Sequence, residues 1–115
     1  MLNHEEIVEY IIRNSEKFVI DLSAADKRGQ TGFFFACWNG NFQAVKLLIQ
    51  NSKTLKLDLN KANEDGETGF HAACGEGHGE IVAYIISNAK KFGIDLSLKN
   101  KNGNTGYDLV LAKFA

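Results

Sequence analysis

His71, Cys74 and His78 carry the side chains in this sequence best suited to chemistry. Their spacing, His-x2-Cys-x3-His, brings together ligand types that zinc takes in structural and catalytic sites. The same stretch holds Gly75-x-Gly77-x-Gly79, a spacing that suggests a phosphate-cradling loop. It also offers a Cys74–His71 pair in which an imidazole could activate a thiol. Each of these chemistries depends on the elements that would position the residues.

Those elements recur. Gly29-Gln30-Thr31-Gly32-Phe33, Gly66-Glu67-Thr68-Gly69-Phe70 and Gly103-Asn104-Thr105-Gly106-Tyr107 stand 37 residues apart. The period holds elsewhere without slippage: Ile12, Ile49 and Ile86; Asn14, Asn51 and Asn88; Asp21, Asp58 and Asp95; Asp26, Asn63 and Asn100. A fixed period of this length marks stacked supersecondary units, each unable to bury its apolar face alone. Within a unit, Thr68 is an N-cap type, Phe70, Ala73 and Cys74 form an apolar face, and Gly77 is placed to end the helix in left-handed geometry.

The pattern of turn, Gly-x-Thr-x-Phe-His-x-Ala, Gly-His, Ile-Val-x-x-Ile-Ile and Asp-Leu resembles the ankyrin repeat, most closely from Gly66 to Asp95. The resemblance covers nearly all of the chain and implies an all-α solenoid of helix-turn-helix units joined by hairpin-like turns. The sequence departs from the family in three ways. Gly32, Gly69 and Gly106 stand where proline is usual after the threonine. The family's histidine survives only as His71, with Phe34 and Asp108 in its place. The period is four residues longer than usual, the excess falling between Asn14 and Asp21 and at the matching positions. The expected division is a half-unit 1–22, units 23–59 and 60–96, and a half-unit 97–115.

In chain order, 1–15 reads as an amphipathic second helix, with Ile7, Val8, Ile11 and Ile12 on its apolar face. The excess Ser15–Phe18 prolongs that helix by about one turn or begins an extended arm. Residues 31–39 and 42–51, then 68–76 and 79–88, pair as first and second helices, and 105–114 is a lone first helix. The chain thus opens on a second helix and closes on a first. Two readings follow: an excerpt of a longer array, or ends that meet another copy by head-to-tail stacking or exchange of terminal helices.

The repeat accounts for each chemical candidate. The resemblance makes His71 the family's turn-bridging histidine. Cys74 shares the core phase of Cys37, and His78 opens a helix as His4 does. Gly77 shares the phase of Gly40, so it terminates a helix, whereas phosphate loops follow a strand. A buried thiol without a neighbouring positive charge is a poor nucleophile. No metal, cofactor or catalytic activity is expected. Cys37 and Cys74 lie one unit apart, at roughly 8–10 Å for stacked helices, beyond the reach of a disulfide.

Composition excludes some classes of partner and setting. Net charge is −1, which argues against a nucleic-acid surface. No apolar run exceeds six residues, the length of Phe33 to Trp38, which is far too short to span a membrane. The polar start Met1–Glu6 does not read as a secretion signal. With no Asn-x-Ser/Thr site, an intracellular protein, cytoplasmic or nuclear, is expected.

The family resemblance implies a protein partner held by turn tips and by the concave face of the first helices. Carried over, the tips are Lys27, Arg28 and Gln30; Glu64, Asp65 and Glu67; Lys101, Asn102 and Asn104. The helix positions are Phe34, Trp38 and Asn39; His71, Gly75 and Glu76; and Asp108. The tips read basic, acidic, basic, an order that could orient a partner. Trp38 stands out because Gly75 and Ala112 occupy its phase, so packing does not demand a ring there; it anchors a partner or covers Phe34 and Phe35. The rival reading is a structural or engineered array that self-associates through its terminal helices. Asn60, after Asp58-Leu59, falls where the family is sometimes hydroxylated. A last expectation is that Gly69→Pro stabilises, because proline at a helix's first position is pre-set in φ.

Overall fold

The computed structural model describes residues 3–14 and 22–113. Among the described residues six helices follow one another: α1 (His4–Asn14), α2 (Gly32–Asn39), α3 (Phe42–Gln50), α4 (Gly69–Glu76), α5 (Gly79–Phe92) and α6 (Gly106–Lys113). First helices α2, α4 and α6 stack in one row and second helices α1, α3 and α5 in another, with α2 on α3 and α4 on α5 closing the units. The result is an elongated all-α stack, 46 × 26 × 25 Å.

Local chemistry sets the helix ends. Thr31 and Thr68 are extended N-caps whose hydroxyls accept the N–H groups of Phe34 and His71. Gly40 and Gly77 end the first helices at φ 75°, a left-handed conformation that costs glycine little. Asn41 then caps α3 by accepting the Ala44 N–H at 3.1 Å.

The core is a continuous strip rather than a ball. Phe33, Cys37, Val45, Leu48 and Ile49 from one unit meet Phe70, Ala73, Cys74, Ile81 and Ile85 from the next. Phe33 and Phe70 are buried along the row of first helices, and the Phe70 ring meets Tyr107 edge-on at 5.5 Å between centroids. Both cysteines are free and buried.

The four-residue excess takes two forms. In the later unit it prolongs α5 through Phe92 to a left-handed Gly93. In the earlier unit α3 stops at Gln50, and 51–56 continue as turns that end on Lys56 at φ 55°. Leu55 and Phe92 pack against the core in both cases. The expected prolongation at Ser15–Phe18 lies outside the described residues.

The expected gain from Gly69→Pro is overturned. Gly69 is the first residue of α4, as the helix phase requires. However, a Cβ there would sit 2.6 Å from Phe33 Cε2 and 3.0 Å from Cys37 Sγ. The bare glycine is the socket for the preceding unit's aromatic ring, and a pyrrolidine cannot share that space.

Candidate functional site

The turns that precede the first helices repeat one hydrogen-bond pattern. Asp26 Oδ1 accepts the N–H groups of Arg28 and Gln30, both at 2.9 Å. Asn63 Oδ1 accepts those of Asp65 and Glu67 at 2.9 and 3.0 Å, and Asn100 Oδ1 those of Asn102 and Asn104, both at 3.0 Å. Only the side-chain oxygen is used to hold the turn, so aspartate and asparagine alternate freely in this phase. The tips are tied to one another by main chain: Glu64 N–H donates to Arg28 C=O at 2.8 Å, and Lys101 N–H to Asp65 C=O at 3.0 Å.

This ladder changes the meaning of the charged tips. Arg28 Nε donates to Glu64 at 2.9 Å and Arg28 Nη2 to Asp65 at 3.2 Å. The hydrogen bond and charge of Glu64 raise the Arg28 pKa above its ordinary value. Opposite signs on adjacent tips therefore meet within the chain, and an exposed pair of this kind adds little stability. Gln30 is buried, its N–H on Asp26 and its C=O accepting the Asp26 N–H. Glu67 leans on Asn100 Nδ2 at 3.4 Å. Lys27, Lys101 and Asn102 remain exposed on the outer edge.

The helix positions divide sharply. Phe34 and His71 are buried, so neither offers a surface to a partner; together with Gln30 they are corrections to the expected binding set. The three occupants of this helix phase show why. His71 Nδ1 accepts the Thr68 N–H at 3.1 Å, and its Nε2–H donates across the junction to Asn104 C=O at 2.9 Å. Asp108 makes the corresponding return bond, its Oδ2 accepting the Thr105 N–H at 2.9 Å. Phe34 cannot accept a hydrogen bond and fills apolar space instead.

Trp38 is 43% exposed and lies against Phe34 with ring centroids 5.7 Å apart. Phe35, named from the sequence only as a ring that Trp38 would cover, is 42% exposed and meets Phe34 edge-on with centroids 5.9 Å apart. Two half-bare rings thus lie against a buried one on an eight-residue helix. The available signal was the run Phe33-Phe34-Phe35: consecutive helix positions point about 100° apart, so three rings cannot all face one core. Phe35 also borders a hollow of about 630 Å³ together with Asn3, His4, Glu5, Ala36, Asn39 and Asn41. Asn39 and Glu76 are exposed near the ends of their helices, and Gly75 is half-buried.

The candidate metal ligands face different neighbours. His71 Nε2–H reaches forward to Asn104, whereas His78 Nε2–H reaches back to Trp38 C=O at 2.8 Å. Burial pushes the Cys74 thiol up to about 11, and burial, aided by Cys74, raises Cys37 as well. Both thiols therefore stay protonated at neutral pH and serve as small apolar groups. Among the described residues no helix is long and apolar enough to cross a membrane.

No curated protein matches the chain. A family model described as ankyrin repeats (3 copies) matches residues 1–100. Repeats of that family are generally protein–protein interaction modules and are typically non-catalytic. With that match across most of its length, and with capped helix pairs stacked in two rows, the chain belongs to the ankyrin-repeat family.

Proposed function

We propose that this chain is a non-catalytic module that binds a protein partner across its first helices, with Phe35 and Trp38 as anchors. The observation that carries the reading is the exposed pair of rings on α2, beside positions where α4 holds Ala72 and Gly75. Exposed aromatic rings over a rigid base are the usual centre of protein interfaces, because they bury large area at small entropic cost. Asn39, Glu76, Lys27, Lys101 and Asn102 form a polar rim. Glu64 and Asp65 contribute less than their charge suggests, being engaged by Arg28. A net charge of −1 favours a protein over a nucleic-acid or membrane partner.

The test is affinity capture with the intact chain, with Trp38→Ala and Phe35→Ala compared with the unchanged protein. Loss of the captured protein with nearly unchanged melting supports the reading. Capture unaffected by both variants would place the interface elsewhere. A large fall in melting temperature would make the rings part of the core.

A further inference from the structure

We propose that the groove between α1 and α2 receives α6 of a second copy of this chain, so that copies associate head to tail. Each junction between first helices is built from one aromatic knob and one glycine socket. A Cβ on Gly69 would meet the Phe33 ring at 2.6 Å and Cys37 Sγ at 3.0 Å; on Gly106 it would meet the Phe70 ring at 2.5 Å and Cys74 Sγ at 3.0 Å. Gly32 opens α2 in the same phase, yet a Cβ there would meet none of the described residues within 4 Å. Among the described residues its socket is open.

The open socket continues into an apolar hollow of about 190 Å³, bordered by Val8 and Ile11 of α1, Gly32 and Ala36 of α2, and Ala44 and Leu48 of α3. This is where the repeat would set a first helix against α1. At the opposite end α6 carries the matching knob. Tyr107 is 44% exposed and Leu111 66%, although their counterparts Phe33 and Cys37, and Phe70 and Cys74, are buried. Ile7 of α1 is likewise 41% exposed, whereas its counterparts Ala44 and Ile81 are buried.

A second copy is the occupant because the contact would repeat an interface that the chain already makes twice with itself. Tyr107 would enter the Gly32 socket, Leu111 would occupy the hollow, and Ile7 would gain cover. At the tips, Asn102 would stand where Arg28 and Asp65 stand in the ladder, an uncharged neighbour for Lys27 of the next copy. Such a contact joins unlike surfaces, so it extends into open chains unless the rotation happens to close.

The experiment is sedimentation velocity on the intact chain over a wide concentration range, with two variants at exposed positions. Gly32→Leu fills the socket but keeps the knob; Leu111→Asp spoils the knob but keeps the socket. The unchanged protein should exceed twice the protomer mass at high concentration, and each variant alone should remain monomeric. An equimolar mixture of the two should stop at a dimer, since only one competent junction can form. Circular dichroism checks that both variants are folded; should either not be, Tyr107→Ser replaces the knob variant and Gly32→Val the socket variant. An unchanged protein that stays monomeric throughout, association that survives Gly32→Leu, or a mixture that forms no dimer overturns the proposal.

Discussion

Asn60 accepts the backbone N–H of Asp95 at 2.7 Å, while its own Nδ2–H donates to Gly93 C=O at 2.9 Å. One side-chain amide thus closes the junction between successive units at the foot of α5. Each such bond contributes roughly 0.5–1.5 kcal/mol net. Asn60→Ala should therefore destabilise by about 1–2 kcal/mol, read as a lower midpoint in urea with an unchanged slope. No change in midpoint would mean that water replaces the amide without cost. The residue stood out in the sequence only as a modification candidate, because nothing along the chain announces a contact one period away.

Glycine substitutions should have opposite signs at equivalent positions. Gly69→Ala drives a methyl into the Phe33 ring and should cost about 1–3 kcal/mol, the usual range for overpacking. Gly32→Ala meets no described residue within 4 Å at the start of a helix and should stabilise by about 0.4–1 kcal/mol through the unfolded chain. Equal effects in denaturant titrations would refute the socket description.

Lys56 holds φ 55° where the next unit places Gly93 at φ 70°. Both close the same loop: Leu57 N–H donates to Ser52 C=O and Ile94 N–H to Ala89 C=O, each at 2.8 Å. A non-glycine residue is strained in this left-handed region. Lys56→Gly should raise stability by up to about 1 kcal/mol, offset in part by the greater freedom of glycine when unfolded. A calorimetric melt that falls instead would show the lysine side chain to be holding the turn.

The two thiols give a pH signature. Their folded pKa values are raised above the ordinary 9.0, to about 11 for Cys74. Stability from burying the neutral thiols is fully present below about pH 9 and is lost as pH rises through the raised values, because the unfolded chain releases those protons first. Replacing both cysteines by alanine should flatten that alkaline decline while lowering stability overall. In the native protein at neutral pH, alkylation should proceed only at the rate of opening, measured by mass spectrometry. Fast labelling of either cysteine would mean that it is exposed.

Much of this protein is set by sequence alone. The 37-residue recurrence of Gly-x-Thr-Gly-aromatic, with cap threonines and terminating glycines, dictates helix pairs that must stack, since no single unit can bury its own apolar face. Helix starts and stops follow from hydrogen bonds between near neighbours, so they were legible at Thr31, Thr68, Gly40 and Gly77. What tertiary structure decided involves residues one unit apart. Only the folded stack shows that Arg28 spends its charge on Glu64 and Asp65, that His71 and Phe34 lie inside, and that Phe35 lies outside beside Trp38. The same holds for Gly69, whose missing side chain is space for Phe33. The periodic pattern states which residues are equivalent, but burial and pairing depend on what the neighbouring unit places opposite them, and that differs from one junction to the next.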